Sequence, residues 1–131
     1  MTDLDLVAAG WQAREHSQAL YSQYRVGAAM LSESGRVWTG TNVESSTYGL
    51  SICAERVALF KALSEGDVGR FVKIAVVAEG PLAPVPCGAC RQLLSEYAPG
   101  IELLLSNVRG EYESARLADL FARPFSKEFL R

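Results

Sequence analysis

Three cysteines, a glutamate and two arginines fall into two short stretches of the 131-residue chain. "SICAERVALF" (51–60) holds Cys53, Glu55 and Arg56; "PVPCGACRQLL" (84–94) holds Cys87, Cys90 and Arg91. These are all the cysteines present, an odd number that intramolecular disulfides alone would not use up. Cys87 and Cys90 stand at the start of one expected helix, spaced so that both sulfurs lie on one side of its first turn. Cys53 stands at the start of another. Helix N-termini carry partial positive charge and stabilise thiolates. Two such starts side by side would aim three sulfurs at one point. Three thiolates around one divalent ion point to zinc with an open fourth corner, the mark of a catalytic rather than a structural site. Three unrelated buried thiols, or a Cys-x-x-Cys redox pair, are the competing readings. Neither explains the carboxylate beside the first cysteine. His16, in "REHSQAL", reads as a surface or partly buried histidine rather than a fourth ligand.

Zinc lowers the pKa of a bound water to roughly 7. Glu55, two residues after Cys53, need not bind the metal to reach that water, take its proton and pass it to a substrate. An acid in a first helical turn is also favoured by the helix dipole; next to Cys53 the catalytic role is preferred. Zinc with three thiolates keeps a net negative charge, which weakens it as a Lewis acid. An arginine that hydrogen-bonds thiolate sulfur withdraws that charge, and Arg56 is the candidate. Arg91 reads more simply as a surface residue.

The elements that must position these groups follow from hydrophobic period. Residues 3–20 read as a helix through Leu4, Val7, Ala8 and Trp11. Residues 26–31 and 36–43 read as a hairpin around "SESG". A Ser/Thr/Gly-rich loop (44–51) leads into a helix at 53–65. "VKIAVVA" (72–78) and "IELLLS" (101–106) read as strands buried on both faces, with a proline-rich loop and a helix at 88–98 between them. A short strand at 111–115 and a tail at 117–130, expected as a short helix and a terminal turn, complete the order α-β-β-α-β-α-β-β-α. That order predicts an α/β, three-layer sandwich: one mixed five-stranded sheet flanked by helices, built as a single domain over 1–131.

Bulk properties exclude several classes. Hydrophobic residues make up 49% and charged residues 21% of the chain, the composition of a globular domain. The net charge of −2 and pI near 5.4 argue against a nucleic-acid partner, which requires a basic stripe. No apolar run approaches the roughly 20 residues that span a bilayer, so no membrane partner is expected. The start, "MTDLDLVAAGW", lacks a basic region ahead of its apolar residues and does not read as a secretory signal. A cytoplasmic location is expected, where thiols serve as metal ligands more often than as disulfides.

The motifs together resemble a known family. "CAER" (53–56) with "PCGACRQ" (86–92) resembles the small homotetrameric cytidine deaminases, and this arrangement is established for zinc deaminases as a class. "YSQYRVGAA" (21–29) is similar to the family's Tyr-Ser-x-Phe-x-Val-Gly-Ala-Ala, "GTNVESSTYGLSICAER" (40–56) to its Gly-x-Asn-[Ile/Val]-Glu segment, and "LADLFARPFSKEFL" (117–130) to its C-terminal ending. The resemblance implies one zinc ion per chain, held by Cys53, Cys87 and Cys90, with Glu55 as the proton shuttle. It implies that the Ala54 N–H meets the pyrimidine 2-oxo group and that Asn42 and Glu44 grip the ribose 3′-hydroxyl. Tyr24, where the family usually has phenylalanine, and Tyr48 would stand beside base and sugar. Phe125 would reach a neighbouring subunit's site, with Phe129 its rival for that register. The implied assembly is a homotetramer with shared sites. The implied reaction is hydrolytic deamination of cytidine and deoxycytidine, a step of pyrimidine salvage. Leu20, where the family often has proline, and Arg25, where it often has proline or a polar residue, bear on the sugar side of the pocket.

Three alternatives stay open at this level. A related deaminase could act on a modified cytosine nucleoside such as blasticidin S, although Asn42 and Glu44 suit a bare ribose. A polynucleotide editor would need a basic channel with stacking aromatics. A zinc-stabilised interaction module without turnover would need a fourth protein ligand.

Overall fold

The computed structural model describes residues 1–130. Its elements run α1 (Asp3–Arg14), β1 (Gly27–Ser32), β2 (Val37–Thr41), a 3-10 turn (Tyr48–Leu50), α2 (Ala54–Ser64), β3 (Phe71–Val77), α3 (Gly88–Tyr97), β4 (Glu102–Ser106), β5 (Glu113–Arg116), α4 (Leu117–Leu120) and a closing 3-10 turn (Lys127–Leu130). The five strands form one sheet in the order β2-β1-β3-β4-β5. β3 and β4 pair in parallel, and α3 forms the crossover between them; the other neighbours are antiparallel. The expected mixed five-stranded sheet between helical layers is therefore the fold observed.

Strand period two sorts the apolar residues between the layers. Ala29, Ala75, Val77 and Leu104 pack with Leu6, Val7 and Trp11 of α1. Their neighbours Ala28, Met30, Ile74, Val76, Leu103 and Leu105 pack on the opposite face with Ala58 and Leu59 of α2 and Leu94 of α3. This double burial is why 72–78 and 101–106 carry apolar side chains on both faces.

Two close approaches fix the helices on the sheet. A Cβ at Gly40 of β2 would stand 2.6 Å from the Ala58 nitrogen and nearer still to the Ala54 carbonyl oxygen, so only glycine lets α2 lie this close. A Cβ at Gly27 would likewise strike α1, 2.8 Å from the Arg14 nitrogen.

The first helix is shorter than its sequence predicts. It starts at a capping box: the Thr2 hydroxyl accepts from the Asp5 N–H at 3.1 Å while the Thr2 N–H donates to the Asp5 carboxylate at 2.9 Å. It ends at Arg14 rather than running to 20. The Arg25 guanidinium donates to the Arg14 and Glu15 carbonyls at 3.1 and 2.6 Å, closing the helix from outside. Gln18 and Glu44 then exchange helix for a bridge: Gln18 N–H donates to the Asn42 carbonyl, and Glu44 N–H to that of Gln18. Arg25 is thus engaged with α1 and does not line the cleft over the cysteines.

Candidate active site

Cys53 and Cys87 are the N-cap residues of α2 and α3. Both have extended backbones, and neither thiol caps its own helix, so both sulfurs are left over for other work. Cys90 lies one turn into α3 and is buried. Sγ of Cys87 is 3.6 Å from Sγ of Cys53 and 3.6 Å from Sγ of Cys90. Sulfurs at about 2.3 Å from a tetrahedral zinc stand roughly 3.8 Å apart, so the three thiols fit one face of a zinc tetrahedron. Among the described residues this trio gathers no fourth His, Cys, Asp or Glu ligand, and His16 is exposed elsewhere.

Electrostatics around the thiols favours charge at Cys53. Its pKa is lowered to about 5 because the thiolate accepts from the Cys90 thiol and from Arg56. Arg56 Nη2 lies 3.6 Å from Cys53 Sγ, the charge-withdrawing contact expected of it. The Cys53 thiolate, burial and Glu55 push the Cys90 thiol upward. Arg91 turns the other way and donates through Nη1 to the Leu120 carbonyl at 2.9 Å, tying α3 to the C-terminal segment.

Glu55 projects from the first turn of α2 and is only 5% exposed. Burial raises its pKa to about 7, against an opposing backbone N–H and with the Cys53 charge adding to the rise. Its Oε1 is buried and finds no hydrogen-bond partner among the described residues. A buried polar atom left unpaired calls for an explanation, and a ligand or a reaction is one; Arg56 Nε and Arg91 Nε are unpaired among the described residues as well. The orphaned oxygen and the three convergent thiols are what a catalytic zinc centre requires of the chain.

The cleft above this centre has a volume of ≈ 650 Å³, ample for a small ligand. Cys53, Ala54, Glu55, Arg56 and Cys87 line it together with Tyr24, Val26, Asn42 and Glu44, and residues 82–85, with Leu82 and Val85 exposed, add a rim. Burial and the Glu55 charge both raise the pKa of the Tyr24 phenol. Glu44 accepts from the Ser22 hydroxyl and from the Ser22 and Tyr21 N–H groups, both at 2.9 Å, which hold its carboxyl below the ordinary range. Asn42 is buried, its amide bonded to Val26 N–H, the Ser17 hydroxyl and the Tyr24 carbonyl.

Eight of the ten side chains singled out from sequence thus meet at or beneath this cleft; Cys90, buried within the thiol cluster, is the one below its surface. The remaining two, Tyr48 and Phe125, do not enter it. Tyr48 sits 78% exposed on the 3-10 turn, and Phe125 stacks on Phe129 with ring centroids 5.3 Å apart, held by Gln92 donating to the Phe125 carbonyl at 2.8 Å. Sequence reasoning passes over Ser17, Ser22 and the 82–85 rim. The signal for Ser22 is its place as the serine of the family-like Tyr-Ser-x-Phe stretch, and for Ser17 there is none.

Comparison with known proteins agrees with this geometry. Residues 2–102 match the cytidine and deoxycytidylate deaminase zinc-binding region. The chain is 45% identical to a cytidine deaminase of Sporosarcina psychrophila over 95% of its own length and 92% of that protein's. It superposes on the crystal structure of cytidine deaminase from Burkholderia pseudomallei with a TM-score of 0.89 and 43% identity, covering 95% of this chain and 100% of the other. A blasticidin-S deaminase of Bacillus cereus is more distant, at 28% identity over 95% of the chain and 93% of that protein. With its cysteines, glutamate and sheet in this arrangement, the chain belongs to the zinc-binding cytidine and deoxycytidylate deaminase family.

Proposed function

We propose that this chain is a single catalytic domain that hydrolyses cytidine and deoxycytidine to uridine and deoxyuridine, releasing ammonia, as a cytoplasmic step of pyrimidine salvage. The observation that carries the reading is Glu55: a buried carboxyl with an unpaired oxygen, near neutral in pKa, beside three thiols that fit one zinc ion. Cys53, Cys87 and Cys90 would hold a zinc ion, which when bound would supply a hydrolytic nucleophile at neutral pH. Glu55 takes the proton released by the attacking water and delivers it to N3 of the pyrimidine. It then takes the proton of the hydroxyl newly bonded to C4 and carries it to the 4-amino group; the C4–N bond breaks, ammonia leaves and the carbonyl forms at C4. The Ala54 N–H orients the ring through its 2-oxo group. Tyr24 provides a flat wall, and Asn42 with Glu44 holds the sugar. Arg56 tempers the thiolate charge. The assembly is a homotetramer in which the exposed tail ring Phe125 and the exposed Tyr48 complete a neighbour's cleft. Their exposure, and their absence from the lining of the chain's own cleft, support that role.

The test is Glu55→Gln. Zinc content, read by metal analysis, should remain near one per chain, while cytidine turnover, followed by ultraviolet absorbance, falls by roughly 10²–10⁴. Turnover persisting near the wild-type rate would remove Glu55 from the mechanism. Blasticidin S is assayed alongside: the more distant likeness to its deaminase and the Asn42–Glu44 pair both support the bare nucleoside as the better substrate.

A further inference from the structure

The sugar side of the cleft holds more organisation than Asn42 and Glu44 alone, and its role in recognition rests on the nucleoside reading of the site. Asn42 Oδ1 accepts from the Val26 N–H at 3.0 Å and from the Ser17 hydroxyl. Its Nδ2 donates to the Tyr24 carbonyl at 2.7 Å. The two backbone partners fix which end of the amide is oxygen and which is nitrogen. The carboxamide oxygen has two lone pairs, and both are occupied. The nitrogen has two hydrogens, and one is occupied. What Asn42 can still offer the cleft it lines is one N–H and no acceptor. The ionised Glu44 carboxylate offers acceptors only.

Ser17 lies buried behind Asn42, 9% exposed against 8%. It sits on the turn that follows α1, where its N–H donates to the Arg14 carbonyl at 3.0 Å, and the next residue bridges to Asn42 itself. Ser17 does not line the cleft. Its hydroxyl is the second donor that saturates the amide oxygen.

We propose that Ser17 is a positioning residue for sugar recognition: by filling the second lone pair of the Asn42 amide oxygen it makes Asn42 a pure donor. Asn42 and Glu44 then select a sugar substituent that accepts one hydrogen bond and donates another, which is a hydroxyl. Without Ser17 the amide plane is held from one side less, and the freed lone pair competes for water or for the sugar's own proton.

Zinc-loaded wild-type, Ser17→Ala, Ser17→Thr, Asn42→Ala and the Ser17→Ala/Asn42→Ala double variant are assayed on cytidine and on 3′-deoxycytidine. Ser17→Ala should raise KM for cytidine roughly 3- to 10-fold with kcat unchanged, and move kcat/KM for 3′-deoxycytidine by less than about 2-fold. Ser17→Thr, which keeps the donor, should restore cytidine KM to within about 2-fold. In the Asn42→Ala background Ser17→Ala should add almost nothing. Should Ser17→Ala not fold, Ser17→Cys carries the same decision, because a thiol is a poor donor of similar size. An equal loss on both substrates, an effect that persists without Asn42, or no effect at all overturns the proposal while leaving the deaminase reading intact. Absence of cytidine turnover in the wild type sinks both.

Discussion

Gly40→Ala tests whether the reaction centre is positioned by the packing of α2 on β2. The added methyl would lie 2.6 Å from the Ala58 nitrogen and 3.0 Å from Val57 Cβ, with the Ala54 carbonyl oxygen closer than either. All three belong to the first turns of α2, which carry Cys53 at the cap and Glu55 in the first turn. Restoring ordinary separations near 3.5 Å requires the helix start to retreat by roughly 1 Å. Overpacking of this kind costs about 1–3 kcal/mol, or on the order of 5–10 °C in melting temperature for a domain of this size. A displacement near 1 Å at reacting groups costs about 10²-fold in turnover. Gly100→Ala is the control, since nothing among the described residues lies within 4 Å of its added methyl. Melting temperature, zinc per chain and kcat/KM on cytidine are measured on both variants. Gly40→Ala should lose activity out of proportion to zinc. If it matches Gly100→Ala within about 2-fold and about 1 °C, the helix is not seated as argued.

Two further predictions concern stability. Ser106 is fully buried; it accepts from the Trp11 indole N–H at 3.0 Å and donates to the Val108 carbonyl at 3.0 Å. Ser106→Ala strands that indole N–H between α1 and the sheet and should lower the unfolding free energy by about 1–3 kcal/mol in a denaturant titration; a loss below about 0.5 kcal/mol contradicts the pairing. The Lys73 ammonium, 2.5 Å from Asp3, holds the Asp3 carboxyl below its ordinary 3.8. A lowered carboxyl contributes stability that is present above 3.8 and fades as pH falls through the folded-state value. Asp3→Asn should therefore melt lower than wild type near neutral pH, with the gap closing in acid. Calorimetry finding the same gap near pH 7 and near pH 3 would count against the pair.

The chemistry is more legible in the sequence than the support beneath it. Cys53, Glu55, Cys87 and Cys90 have residue types and spacings that few other roles require, and the two helices whose starts bear them are legible as well. The end of α1 departs from its sequence expectation because its cap comes from Arg25, a partner lying well beyond the helix in sequence. A side chain arriving from outside a helix leaves no mark in that helix's own pattern. Asn42 reads from sequence as both donor and acceptor, but its oxygen is taken up by Ser17 and Val26, a pairing that only tertiary structure creates. The turn under Tyr24 is hidden for the same reason. Gln23 holds a φ of 59° there, and Glu44, more than twenty positions away, ties its neighbours down.

The rim at 82–85 and the turn before Tyr24 belong to no helix or strand, whereas the thiols and Glu55 ride on helix starts seated against the sheet. Such a division lets a lineage retarget toward bulkier or differently decorated clients by rewriting a handful of peripheral positions, without retuning its reactive heart. Libraries diversified only in those two stretches should keep loading metal while drifting in preference, which makes this scaffold a tractable starting point for selecting activators of pyrimidine prodrugs.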